Sequence, residues 1–232
     1  MTKYFYVKSC LKRHIISNPK IYFTLLKLNG NYNERICQKD TDIVTEGFPR
    51  SANSFFVNAL RVTFRIKNRP IIKIAHHNHS VAQIKVGLKY NIPIVILIRK
   101  PSDAIASFIL MQNHSNIKNL IKDYISFYSY VSKVKKKVLI ITFSEIINNY
   151  PGAIKKINIK YGLDFPQIMD GNIKKLTFQE IKKRDNKNLG KDNTEKHGIP
   201  SDKKEMLKKE IIKEIESIPI YYKAEQLYNS LT

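Results

Sequence analysis

Ile43-Val-Thr-Glu-Gly-Phe-Pro-Arg-Ser-Ala-Asn-Ser54 is the stretch whose reading decides the fold. Its first half, through Phe48, carries the branched residues of a strand. Ser54 to Phe64 has helical spacing, with Phe56, Leu60 and Phe64 on the inner face. Pro49-Arg-Ser-Ala-Asn-Ser54 between them reads as a tight strand-to-helix loop. After a parallel strand, such a loop opens a helix N-terminus whose unpaired N–H groups and positive dipole end attract anions. Ser51, Asn53 and Ser54 add short donors, and Arg50 adds a permanent cation. The segment is not a Walker A motif, which requires G-x-x-x-x-G-K-[ST]. From these residues alone, phosphate binding and a plain capped helix both stay open.

Working outward, the other candidate strands are Ile71–Ala75, Ile92–Ile98 and Val138–Phe143, with the first running Asp42–Phe48. Helical patterns separate them, the signature of βαβ units and a parallel sheet. Ile94-Val-Ile-Leu-Ile98 is unbroken and branched, as in a central strand covered on both faces. The predicted class is therefore α/β, a three-layer α/β/α arrangement around a central parallel sheet. Ser80 and Gln83 match a capping box ahead of Val81, Ile84 and Leu88. Pro101 suits the first turn of another helix. Ile117, Leu120, Ile121, Tyr124, Tyr128 and Val131 form a longer apolar stripe. Asp202 with Glu205 is expected to cap a helix that turns Leu207, Ile211 and Ile215 inward. One domain over 1–232 is expected, with an N-terminal helical segment at 1–40. The stretch Asn172–Lys196, dense in Lys, Asn and Asp, predicts a basic, flexible segment over 172–200.

Lysine and arginine number 41 against 19 acids, a net charge of +22. Such a field attracts nucleic acid, anionic lipid, phosphorylated nucleotides or acidic polysaccharides without choosing among them. Cys10 and Cys37 are too few for a disulfide framework and match no zinc spacing, which fits a reduced, cytoplasmic setting. No apolar run is long enough to span a membrane. Met1 to Leu28 mixes aromatics with Lys3, Lys8, Lys12 and Arg13 and lacks the unbroken apolar core of a signal peptide. It suits a helix packed on the domain, or one lying at the membrane periphery.

A second strand–loop–helix follows, Ile98-Arg-Lys-Pro-Ser-Asp-Ala-Ile-Ala-Ser107. Arg99 ends the central strand, so it shares the carboxyl edge of the sheet with Arg50, where α/β folds bind ligands. Ser107 lies two turns into an apolar helix, either bonding back to its own backbone or facing a ligand. Between the two segments runs Ile74-Ala-His-His-Asn-His-Ser80. Its histidines suit a solvated loop, a metal site or a general base.

Pro49, Arg50, Ser51, Ala52, Asn53, Ser54 and Phe55 resemble the 5′-phosphosulfate loop of PAPS-dependent sulfotransferases, Pro-Lys/Arg-Ser-Gly-Thr-Thr/Ser and an aromatic. Ala52 replaces the glycine, so a left-handed backbone there would be strained. Asn53 replaces a hydroxyl but keeps a donor. Arg99, Lys100, Pro101, Asp103, Ala104 and Ser107 resemble the 3′-phosphate segment, Arg-Asp/Asn-Pro-x-Asp-Ala/Val-x-x-Ser. Two such segments in the family's order are far more specific than either alone. The family's catalytic histidine follows the strand between them; by this likeness His77 is the base, with His76 and His79 as alternatives. Val138 to Glu145 with Tyr150-Pro151 is similar to the family's Tyr-Glu-Asp-Leu strand and loop, and Lys196-His197-Gly198 to its Arg-Lys-Gly.

The resemblance implies a P-loop-NTPase-like sulfotransferase fold and transfer of a sulfuryl group from PAPS to an acceptor hydroxyl or amine, releasing PAP. Arg50, Ser51, Ala52, Asn53, Ser54, Phe55, Arg99, Ser107, Lys196 and Gly198 would hold the nucleotide, with Arg50 also assisting catalysis and no metal. The partners implied are PAPS or PAP and a carbohydrate or other anionic acceptor, with no nucleic acid. A nucleotide kinase or NTPase, and a non-enzymatic polyanion or membrane-surface binder, are the competing readings.

Overall fold

The computed structural model describes residues 11, 13–28, 35–112, 116–168, 172–189 and 202–232. Among them, β1 (Ile43–Gly47), β2 (Ile74–His76), β3 (Ile94–Ile98) and β4 (Leu139–Thr142) form a sheet in the order β2-β1-β3-β4. All pairings are parallel, with Thr45 opposite both His76 and Val95, and Ile98 opposite Thr142. Every residue of β3 is buried. Because side chains alternate along a strand, Ile94, Ile96 and Ile98 join Val44 and Ala75 in one core. Val95 and Leu97 join Ile43, Ile74 and Ile141 in the other. Two cores on opposite faces make the three-layer α/β/α arrangement that the unbroken apolar run predicted.

Around the sheet lie the helices α1 (Pro19–Leu28), α2 (Asn53–Ile66), α3 (Val81–Lys89), α4 (Pro101–Gln112), α5 (Ile117–Val134), α6 (Phe143–Asn148), α7 (Tyr150–Tyr161), α8 (Asn172–Leu189), α9 (Asp202–Ser217) and α10 (Tyr221–Leu231). Residues of α3, α4, α5, α9 and α10 pack on one face and those of α2, α7 and α8 on the other. α1 lies against α3 without a buried residue of its own, and Tyr22 donates from its hydroxyl to the Asn78 carbonyl (3.1 Å). No helix is long and apolar enough to cross a membrane among the described residues.

Several boundaries differ from expectation for local reasons. Ile71 is exposed, and pairing in β2 starts only at Ile74. Phe143 opens α6 instead of ending β4, because Thr142 and Glu145 form a reciprocal capping box (2.8 and 3.2 Å). At Ser80 only half of the expected box forms. The serine accepts from Gln83 N–H (3.3 Å), while the Gln83 amide is drawn away to Cys37 N–H and the Arg35 carbonyl. In α9, Ile215 is buried but Leu207 is exposed. Over Asn172–Leu189 the segment expected to be flexible is a helix: Ile173, Thr177 and Ile181 make a buried stripe at four-residue spacing, and Phe178 meets Phe55 at 5.2 Å. Cys37 is buried, which pushes its thiol up to about 12 and keeps it protonated. Cys10 lies outside the described residues.

Candidate functional site

The loop from β1 into α2 is built from close backbone approaches. A Cβ on Gly47 would stand 2.3 Å from the Leu97 carbonyl oxygen, so only glycine lets β1 and β3 stay paired here. Phe48 N–H donates to the Tyr128 hydroxyl (3.1 Å), which donates to the Leu97 carbonyl (2.7 Å). Phe48 C=O accepts from Ser51 N–H (3.2 Å) and from the Asn53 amide (3.0 Å). Arg50 (φ 68) and Ala52 (φ 72) are both left-handed. The strain anticipated at Ala52 is thus present, and Arg50 shares it. Ala52 is also the residue that caps α2, and it supplies no side-chain cap. The first turn therefore offers its N–H groups to whatever occupies the loop.

β3 and α4 bring the second segment alongside. Arg50 Nε donates to Ser107 Oγ (2.9 Å) and its Nη1 to the Met111 sulfur (3.3 Å). Arg99 Nη1 donates to the Arg50 carbonyl (3.2 Å), and its guanidinium lies 4.0 Å from the centre of the Phe143 ring. Asp103 stands 3.9 Å from Arg99, and Tyr124 donates to the Arg99 carbonyl (2.8 Å). Burial, followed by the charge of Arg99, lowers Arg50 to about 10, which leaves it a cation at neutral pH. Burial likewise lowers Arg99, against the pull of Asp103 and Glu205. Two half-buried guanidiniums side by side repel each other, and negative charge brought beside them, as by Asp103, is favourable. That arrangement suits a ligand carrying negative charge in two places.

The histidine turn closes a third side. Oε1 of the fully buried Glu46 accepts from Asn78 N–H (3.1 Å), tying the turn to the end of β1. His79 Nδ1 donates to the Gly47 carbonyl (2.7 Å). His77 Nε2 meets Ser54 Oγ at 2.9 Å, His77 Nδ1 meets His76 Nδ1 at 2.6 Å, and His76 Nε2 meets Arg61 Nη2 at 3.1 Å. His77 (φ 59) and His79 (φ 49) are left-handed, so strained backbone gathers on both sides of one space.

That space is a cavity of about 710 Å³ bordered by Arg50, Ala52, Asn53, Ser54, Phe55, Arg99, Ser107, His77 and His79. Ser51 and His76 are not on its border: Ser51 is fully buried and His76 is 5% exposed. Lys196 and Gly198 lie outside the described residues. Distant elements add groups that local reading missed. Lys208 and Glu205 of α9 border the cavity and pair with each other. Arg184 and Asp185 of α8 pair at 2.8 Å, and their charges reach Arg50. These lysines and arginines sit in a chain rich in both, so nothing local marked them. Beyond the arginines the lining is mostly apolar, with Phe48, Val81, Phe108, Leu120 and Phe127.

No protein-family model matches the chain, and no curated protein matches it. Among solved structures, mouse sulfotransferase SULT7A1 complexed with PAP is similar over 86% of this chain and 93% of its own, at 13% identity and a TM-score of 0.48.

Proposed function

We propose that the protein is a PAPS-dependent sulfotransferase, moving a sulfuryl group to an acceptor hydroxyl or amine and releasing PAP. The observation that carries this reading is the bond from Arg50 Nε to Ser107 Oγ. It joins the two strand–loop–helix segments into one floor with a cation for each phosphate-bearing end of such a nucleotide. The uncapped first turn of α2 and Ser54 suit the 5′ end, and Arg99 with Ser107 the 3′ end. A cavity of about 710 Å³ leaves space for an acceptor beside it. Its apolar border favours an acceptor with an apolar portion over the carbohydrate that net charge suggested.

The donor supplies an activated sulfuryl group. The acceptor oxygen or nitrogen forms a bond to sulfur while the bond from sulfur to the leaving phosphate oxygen breaks. Arg50, the loop N–H groups and Ser54 meet the charge that develops on that oxygen. The acceptor proton passes to a histidine of the turn. We assign this role to His79, which borders the cavity and whose Nδ1 donates to the Gly47 carbonyl, fixing the ring against the end of β1. His77, the base implied by the resemblance, borders the same cavity, with Nε2 at Ser54 Oγ and Nδ1 at His76 Nδ1.

PAP should stabilise the protein against heat far more than ATP or heparin at equal concentration. Arg50→Ala should abolish turnover, Arg99→Ala should chiefly weaken PAP, and His79→Ala should lower kcat at least about a hundredfold with PAP affinity kept. Unchanged PAP affinity in both arginine variants would sink the site. Equal stabilisation by heparin would favour a polyanion binder instead.

A further inference from the structure

We propose that Arg61 is a positioning residue that, through His76 and His77, sets Ser54 as a hydrogen-bond donor at the anion-binding loop. A guanidinium has donors and no acceptor. Arg61 Nη2 lies 3.1 Å from His76 Nε2, so that nitrogen presents its lone pair. His76 is neutral, since burial, then the charges of Arg61, Arg35, His79 and Arg184, lower it to about 3. A neutral ring with its lone pair on Nε2 carries its hydrogen on Nδ1. That hydrogen must be donated across the 2.6 Å to His77 Nδ1.

The polarity then propagates. His77 is held neutral by burial and by His76, His79, Arg184 and Arg35. Accepting at Nδ1, it keeps its hydrogen on Nε2 and donates it to Ser54 Oγ over 2.9 Å. With its oxygen engaged as acceptor, Ser54 has its own hydrogen left for the cavity it borders. The opposite polarity would turn that hydrogen toward His77 and leave an oxygen lone pair facing the ligand. Arg61 and Ser54 belong to the same helix, about two turns apart, so α2 carries both ends of the relay. The resulting role for Ser54 rests on the functional reading above; the ring tautomers do not.

Nitrogen-15 shifts of histidine-labelled protein test the relay directly. Wild type should show His76 protonated at Nδ1 and His77 at Nε2, and Arg61→Lys, still a donor without an acceptor, should keep both. Arg61→Glu, an acceptor without a donor, should reverse both rings. PAP affinity, measured by calorimetry, should stay within about twofold in Arg61→Lys and fall more than about tenfold in Arg61→Glu. The loss caused by Arg61→Glu should shrink at least about fivefold when Ser54 is already alanine. Opposite tautomers in wild type, or a loss independent of Ser54, would overturn the proposal. A wild type that ignores PAP but shows the expected tautomers would overturn the functional reading while leaving the relay standing.

Discussion

Ala52 is the residue where the local rules are broken most plainly. An L-residue at φ 72 pays for the contact of its Cβ with its own backbone, on the order of 1–2 kcal/mol. The neighbouring geometry demands the turn, since Phe48 C=O is shared by Ser51 N–H and the Asn53 amide. Ala52→Gly is expected to stabilise the protein by about 0.5–1 kcal/mol after the entropy of glycine is counted, read from chemical denaturation. A less stable variant would mean that the Ala52 methyl group matters more than the strain. The strain itself was foreseeable from the resemblance, which placed glycine at this position. The matching strain at Arg50 was not, because nothing in the order Pro49-Arg-Ser reports a positive φ. Arg61 was equally hidden: its role depends on His76, which the fold alone brings to it.

At the level of elements, α8 is the instructive departure. Its polar composition argued for flexibility, yet Ile173, Thr177 and Ile181 fall on one side and bury against α2. A stripe this thin was outweighed in the sequence by the lysines and asparagines around it. Helix stability here comes from docking more than from propensity. Ile181 is 1% exposed, so Ile181→Ala should cost about 2–4 kcal/mol. Hydrogen exchange should show α8 losing protection before β3 does. Because α8 carries Arg184 and Asp185, whose charges reach Arg50, PAP affinity should fall with it. Unaltered exchange in α8 would show that its docking depends on other contacts. The helices α2, α4 and α5 were legible by contrast, since each has a broad apolar stripe or a clear opening residue.

Over the whole molecule, two buried groups give stability a pH dependence of opposite signs. Burial raises the Glu46 carboxyl from 4.5 to about 8. Its contribution is therefore complete below pH 4.5 and is lost as pH rises through about 8. Burial lowers His76 from 6.5 to about 3, so its contribution is present above pH 6.5 and is lost as pH falls toward 3. Stability should fall between pH 6.5 and pH 8 in wild type. Glu46→Gln, which keeps an acceptor for Asn78 N–H, should flatten that fall in denaturant titrations. An equal fall in the variant would place its origin elsewhere. The order of amino acids by itself determined the parallel α/β layers and the two loop segments with Arg50, Ser54, Arg99 and Ser107, because strand periodicity, capping and loop chemistry are local signals. Tertiary structure alone decided that Arg50 bonds Ser107, that α8 and α9 bring charges to the cavity, and that the loop bends left-handed at Arg50. Those features depend on distances between segments far apart in the chain, which are set only when the two faces of the sheet are packed.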